Sequence, residues 1–194
     1  MPTQPLRARI RDYSEITNVG PILRRYFVIG AFDGALTILG IILGAIVAGA
    51  GEQHRSLVLA MSFSAAVALA ISSTVGAYEA ERMEKKIAQL SMERAMLSEM
   101  SEMHKDAFHF AAIAGAITHG LAPLVAGLVP VVPFLLMPFA SAALWSIVIT
   151  LAGLFLIGAY MGRLAREHML VSGMRLVVAG LATAIILWLI GGHP

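Results

Sequence analysis

Cysteine is absent from the 194 residues of this chain, and charged side chains are scarce, at 13% of the total. Without cysteine there are no disulfide bonds, thiolate metal sites or cysteine nucleophiles, so any metal ligand has to be an oxygen, an imidazole or a thioether. Soluble domains contain about 25% charged residues. The shortage of charge therefore argues against a soluble globular protein.

Sequence signatures of catalysis are also missing. The chain contains no His-Glu-x-x-His, Gly-x-Ser-x-Gly, Walker or dinucleotide-binding glycine motif. Its apolar segments hold no pair of histidines at the spacing of haem or di-iron ligands. We therefore expect no enzymatic activity and no permanently bound cofactor.

Hydrophobic residues make up 58% of the chain and are concentrated in five runs. The runs cover residues 26–50, 56–78, 108–129, 140–161 and 169–190. At 1.5 Å per residue, each can cross about 30 Å of hydrocarbon as a helix. Because the first run begins only after a polar arm, we expect it to be retained and not cleaved as a signal peptide. The sequence predicts an all-α polytopic membrane protein, with the arm at 1–25 and a five-span domain at 26–194.

The connections between these runs differ in length and composition. Only the segment 79–106 is long and polar, and it contains no glycine or proline. We therefore expect it to continue the second span as one long cytoplasmic helix. The connection 130–138 is uncharged and rich in proline, which predicts a loop.

Basic residues are distributed very unequally between the two sides of the predicted membrane. Of the 14 Lys and Arg, five lie in the arm, five in segment 79–106 and three around the fourth connection, which leaves Arg55 alone on the other side. The positive-inside rule then places the N-terminus in the cytoplasm and residues 191–194 outside the cell membrane. Because the basic residues flank apolar runs, we expect a lipid bilayer and no nucleic acid as partner.

Asp33 is the one acidic residue well inside a predicted span. A carboxylate in hydrocarbon costs several kcal/mol, so the default interpretation is an ion or proton site that faces the protein interior. The alternative is a structural hydrogen bond to a neighbouring helix. Small residues share its helix face, namely Thr37, Gly40, Gly44 and Ala48.

A stripe of small residues four positions apart allows two membrane helices to approach closely. If the second helix is the same helix of another copy, two Asp33 carboxylates meet near a twofold axis and form a cation site. If it belongs to the same chain, Gly40 and Gly44 merely accommodate its packing. The sequence leaves both alternatives open.

Further candidate metal ligands occur at the cytoplasmic end of the second span and beyond it. They are Glu79, Glu81, Glu84, Glu93 and Met96. A site that combines carboxylate ligands with a thioether ligand suits Fe²⁺ or Mn²⁺ better than Ca²⁺. Alternatively, Glu79 and Glu81 are solvated charges paired with Arg82 and Lys85, and the methionines form the apolar face of an amphipathic helix.

His119 lies near the middle of the third span, four residues before Pro123. Proline cannot donate a hydrogen bond to the His119 carbonyl, and a helix interrupted in this way can coordinate a cation. His119 is therefore a candidate metal ligand. The alternative is a histidine hydrogen-bonded to a neighbouring helix.

Taken together, these residues resemble the vacuolar iron transporter family, which consists of five-span metal/proton antiporters, and in particular its short prokaryotic members. Residues 31–36 are similar to the family's small-x-Asp-Gly signature, and residues 127–134 to its Gly-x-x-Pro-x-x-Pro-Phe stretch. The family's second span carries Gly-Glu-aromatic after a Met, whereas here the acid is displaced to Glu79 and the Met is absent. Larger members insert a multi-helix acidic domain where this chain has only the segment 79–106.

The resemblance implies a homodimer that moves Fe²⁺ or Mn²⁺ out of the cytoplasm in exchange for protons, with Asp33 in the pathway. Metal and proton compete for one carboxylate, which couples the two fluxes without ATP. Two alternatives remain open. One is a membrane interaction protein that does not transport, and the other is a passive cation channel.

Overall fold

The computed structural model describes residues 6–191, and within them the chain forms helices and no strand. The helices are α1 (Leu6–Thr17), α2 (Val19–Val47), α3 (Arg55–Met96), α4 (Glu102–Leu128), α5 (Pro133–Leu136), α6 (Phe139–Leu164) and α7 (Met169–Gly191). Short 3₁₀ turns cover Glu52–His54 and Val129–Val131. The first five residues of the predicted arm, and residues 192–194 of the predicted external C-terminus, lie outside the described part.

Five of these helices, α2, α3, α4, α6 and α7, are long and apolar enough to cross a membrane. Most of their large apolar side chains are exposed, as expected where lipid replaces water as the solvent. The prediction of an all-α polytopic membrane protein is therefore confirmed. The arm contributes α1, whose Tyr13 hydroxyl lies 3.2 Å from Asp106 Oδ2 at the start of α4.

Helix α3 has 42 residues, a length of about 63 Å, and continues well beyond the apolar run 56–78. The single helix expected over 79–106 is nevertheless wrong in its last part, because α3 ends at Met96. Leu97 adopts a left-handed conformation with φ 53°, and Glu93 Oε1 accepts a hydrogen bond from the Met100 backbone N–H at 3.1 Å. These local contacts turn the chain into α4 although leucine is a good helix former.

Helix α4 passes through Pro123 without interruption, so the discontinuous helix expected near His119 is wrong. Neighbouring helices often compensate a proline inside a membrane helix. Here α2 approaches so closely that a Cβ atom on Gly30 would lie 2.7 Å from the His119 carbonyl oxygen. A Cβ on Gly34 would overlap the Pro123 backbone. The two glycines thus bring the α2 and α4 backbones into contact.

Small residues also allow α3 to approach α4 closely and α6 to approach α7 closely. A Cβ on Gly120 of α4 would meet Thr74 and Ala70 of α3, and a Cβ on Gly158 of α6 would meet the Ser172 backbone of α7. Such contacts are the usual way in which membrane helices pack, because no hydrophobic effect drives them together in lipid.

The bundle end opposite α1 is closed by an apolar core and a polar clamp. Ile42, Phe134 and Phe139 are among the core residues. Glu52 Oε2 accepts a hydrogen bond of 2.7 Å from the Phe139 backbone N–H, at the start of α6. Arg55 donates to the Phe134 carbonyl and also pairs with Glu52. Arg55, the one Lys or Arg at this end of the described bundle, therefore has a structural role.

Candidate functional site

Asp33 lies at the middle of the 29-residue helix α2 and is half-buried. Its neighbour Gly34 contacts α4, so Asp33 is placed on the flank of the α2/α4 crossing. Within residues 6–191 no side chain forms a hydrogen bond or ion pair with its carboxylate. The structural hydrogen bond considered as an alternative role is therefore not formed within the described chain.

The helix face that Asp33 shares with Gly40 and Gly44 is open. A Cβ atom on either glycine would meet no atom within 4 Å. The face borders a groove of about 470 Å³ between α2 and α3, with Leu57 and Met61 on its α3 side. Gly30 and Gly34 pack against α4 of the same chain, whereas no helix of the described chain packs against Gly40 and Gly44.

Glu81 is the most deeply buried charged residue of the described chain, at 2% exposure. Its Oε1 lies 2.8 Å from Arg25 Nη2 and accepts a hydrogen bond of 3.0 Å from the Tyr26 hydroxyl. Among residues 6–191 its Oε2 has no hydrogen-bond partner, and Lys85 Nζ is 3.9 Å away. These contacts join the start of α2 to α3. The sequence offered, as an alternative to a metal ligand, a solvated Glu81 paired with Lys85. The pairing with Lys85 is present, but Glu81 is buried and not solvated.

Glu79 and Glu84 are both exposed on α3. Glu79 pairs with Arg82 at 3.3 Å, whereas no ion pair forms at Glu84 within the described chain. They are available to solvent ions, although nothing fixes their geometry.

Glu93 and Met96 lie near the end of α3, beyond the apolar part of the helix. Glu93 accepts hydrogen bonds from the Gln89 side chain and the Met100 N–H, and these donors lower the pKa of its carboxyl. Met96 is exposed. Because α3 ends at Met96, the methionines of segment 79–106 do not all lie on the apolar face of one helix: Met92 and Met96 belong to α3 and Met103 to α4.

His119 is held against α2. Its Nδ1 lies 3.1 Å from the Tyr26 carbonyl oxygen, and its ring is 5.1 Å from the Tyr26 ring. This is the hydrogen bond to a neighbouring helix that the sequence offered as the alternative to a metal ligand. Tyr26 therefore contacts both Glu81 and His119 and links α2 to α3 and α4.

The seven predicted ligands are not brought together in one chain. Among residues 6–191, no three His, Asp or Glu side chains lie close enough to hold a metal ion. Two of the seven, Glu81 and His119, share Tyr26 as a neighbour. Asp33 stands apart from them on the open face of α2.

The chain is similar to known proteins over most of its length. The VIT family model matches residues 24–109 and 80–192, which include Asp33 in the first segment and His119 in the second. The chain belongs to the VIT family. It is 31% identical over 171 residues to an uncharacterized protein of Methanocaldococcus jannaschii, a match that covers 86% of this chain and 87% of the relative. Membership of the VIT family indicates a membrane metal-ion transporter at the level of the family.

Two residues important to this VIT family protein, Arg25 and Tyr26, were not predicted from the sequence. Both lie at the junction of the polar arm and the first apolar run, where a basic and an aromatic residue are common in any membrane helix. Their partner Glu81 is more than fifty residues away. No local pattern could have indicated this contact.

Proposed function

We propose that the protein exports a divalent transition metal, Fe²⁺ or Mn²⁺, from the cytoplasm in exchange for protons, through a pathway between two copies of the chain. The observation that carries the proposal is Asp33. Its carboxylate lies inside a span without a partner in the described chain, although such a group is costly in lipid. A cation or a proton would neutralise it.

A second copy of α2 is the occupant that best suits the open face beside Asp33. Packing about a twofold axis would cover Gly40 and Gly44 and bring two carboxylates together. Two like charges at short distance favour the binding of a proton or a divalent cation. Competition between the two would couple metal movement to a proton gradient.

The polar part of α3 would capture metal before it enters the pathway. Glu79 and Glu84 are exposed and would exchange ions readily, and Glu93 and Met96 would extend the capture surface. Glu81 would have to leave its ion pair with Arg25 to bind a metal. Export requires this part of α3 to be cytoplasmic, as the excess of basic residues at this end indicates.

Reconstitution in liposomes tests the proposed function. We expect Mn²⁺ or Fe²⁺ to enter vesicles with an acidic lumen, and the flux to fall to the level of protein-free vesicles when a protonophore collapses the gradient. Co²⁺ and Zn²⁺, measured in parallel, establish selectivity. Flux that ignores the pH gradient would replace the antiporter by a passive channel. No flux of any of these metals would favour a membrane interaction protein.

The dimer is tested by filling the open face. Gly40→Leu and Gly44→Leu should keep the folded monomer, because nothing lies within 4 Å of either Cβ position, but should push the two α2 helices apart. We expect light scattering in detergent to show a dimer for the wild type and a predominant monomer for both variants.

The matched control is Gly76→Leu on α3, since this glycine also has open space around its Cβ position. It should leave the dimer intact. A wild-type monomer, or a dimer unaffected by both α2 replacements, would remove the twofold site.

A further inference from the structure

A basic cleft lies between α3 and α4 at the polar end of the bundle, apart from the open face of α2. Its volume is about 240 Å³. Arg82, Lys85, Lys86 and Lys105 line it, and its remaining polar residues are Gln89 and His109. No carboxylate is among the residues that line the cleft, so four cationic side chains face one small space.

Carboxylates around the cleft leave part of this positive charge available, since Lys85 Nζ lies 3.9 Å from the buried Glu81 Oε2 but does not form a hydrogen bond with it. Arg82 and Lys105 pair with Glu79 and Glu102 respectively, but both of these acids are more than half exposed. Exposed ion pairs contribute little because water screens them. Lys86 has Gln89, at 3.4 Å, as its hydrogen-bond partner in the described chain. The cleft therefore suits a ligand with a compact negative charge.

The cleft opens at the level where the apolar part of α4 begins. Its lining includes Phe108 and Ala112 of the third apolar run. Ile113 and Ile117, four and eight residues after His109, continue the same face of α4 and are exposed. A ligand with a charged group in the cleft can thus extend an apolar portion along α4 into the bilayer.

We propose that this cleft binds the phosphate of an anionic phospholipid, with the acyl chains along α4. Basic pockets between membrane helices are suited to such headgroups. A soluble phosphate could contact the four cationic side chains but would make no contact with the apolar residues next to them. The phospholipid accounts for both features, and the proposal does not depend on what the protein transports.

Arg82→Gln with Lys86→Gln tests this proposal. Both side chains are exposed, and their contacts within the described chain are with Glu79 and Gln89, so the fold should tolerate their loss. The matched control is Arg163→Gln with Arg166→Gln, which removes the same charge at the same end of the bundle, in the last turn of α6 and just after it. Circular dichroism and the elution volume confirm that both double variants are folded.

Native mass spectrometry of the full chain in a neutral detergent measures binding of dioleoylphosphatidylglycerol and dioleoylphosphatidylcholine. We expect the wild type and the control pair to bind phosphatidylglycerol at least tenfold more tightly than phosphatidylcholine. The cleft variant should bind phosphatidylglycerol at least tenfold more weakly than the wild type. Inorganic phosphate at millimolar concentration should not raise the unfolding temperature of any of them.

Three results would overturn the proposal. The first is equal affinity of the wild type for the two lipids. The second is undiminished phosphatidylglycerol binding by the cleft variant, or an equal loss in the control pair. The third is stabilisation of the wild type by inorganic phosphate that disappears in the cleft variant, which would make the cleft a site for a soluble anion.

Discussion

Replacement of Asp33 with Asn should reduce metal flux in proteoliposomes under a pH gradient to the level of protein-free vesicles. The substitution keeps the size of the side chain and its ability to form hydrogen bonds, but it removes both the negative charge and the titratable proton. Without them the side chain can neither attract a divalent cation nor exchange that cation for a proton. Flux should be measured with Mn²⁺ and with Fe²⁺.

The same variant should still insert, fold and dimerise. A neutral amide is less costly inside a span than an unpaired carboxylate, so the unfolding temperature should stay the same or rise. This separates a lost function from a lost fold. Asp12→Asn is the matched control, because it makes the same chemical change in α1, outside the five apolar helices. Transport by the Asp33 variant at nearly the wild-type rate would make Asp33 a structural residue.

Replacement of Arg25 with Gln should have the largest effect on stability. Glu81 would remain almost fully buried with the Tyr26 hydroxyl as its hydrogen-bond donor and Lys85 Nζ at 3.9 Å. The Arg25 side chain is 55% exposed, so water screens part of this ion pair, and its loss should cost about 1–3 kcal/mol. For a chain of this size, that corresponds to a decrease of about 2–12 °C in unfolding temperature. Thermal unfolding in detergent, followed by tryptophan fluorescence, measures it.

A double substitution distinguishes a lost ion pair from other damage. Arg25→Gln with Glu81→Gln removes both charges, so most of the lost stability should return. Arg24→Gln is the matched control, since Arg24 is exposed and makes no ion pair in the described chain. If the double variant is as unstable as Arg25→Gln alone, or Arg24→Gln is equally harmful, the Arg25–Glu81 ion pair does not hold α2 to α3.

Glu81→Gln alone also separates the two roles considered for this residue. A structural clamp predicts lower stability with an unchanged apparent KM for metal. A capture ligand predicts a raised KM. Glu84→Gln, at an exposed position on the same helix, should raise the KM without affecting stability if the polar part of α3 captures metal.

The five spans were predictable because the number of apolar residues needed to cross a bilayer is fixed by its thickness. Asp33 was identifiable for a related reason, since a carboxylate in lipid is unfavourable wherever its partners lie. The end of α3 was not predictable, because Leu97 favours helix, and the contact that accompanies the turn is the hydrogen bond from the Met100 N–H to Glu93 Oε1. The prediction of a discontinuous helix at Pro123 was wrong because the effect of this proline depends on the packing of α2, whose glycines lie against it.

The different environments of Glu79 and Glu81 illustrate a further limit. Residues i and i+2 of a helix are about 200° apart around its axis. Glu79 therefore faces solvent, whereas Glu81 faces α2. Hydropathy alone does not orient α3 about its axis, because both sides of its polar part carry charge. In the structure, Arg25 and Tyr26 of α2 contact Glu81 on one side of α3, and such contacts with other helices fix its orientation.

The backbone contact of Gly30 and Gly34 with His119 and Pro123 restricts how the protein can move. Flexible side chains between two helices can change rotamer and so allow the helices to slide past each other. Here the backbones of α2 and α4 are in direct contact instead. We therefore expect helices α2 and α4 to tilt together as one rigid body, so that rotation of α2 alone would not change access to Asp33. In the proposed dimer, a change of access at Asp33 would then occur along the open face beside Gly40 and Gly44, as a rocking of one whole subunit against the other.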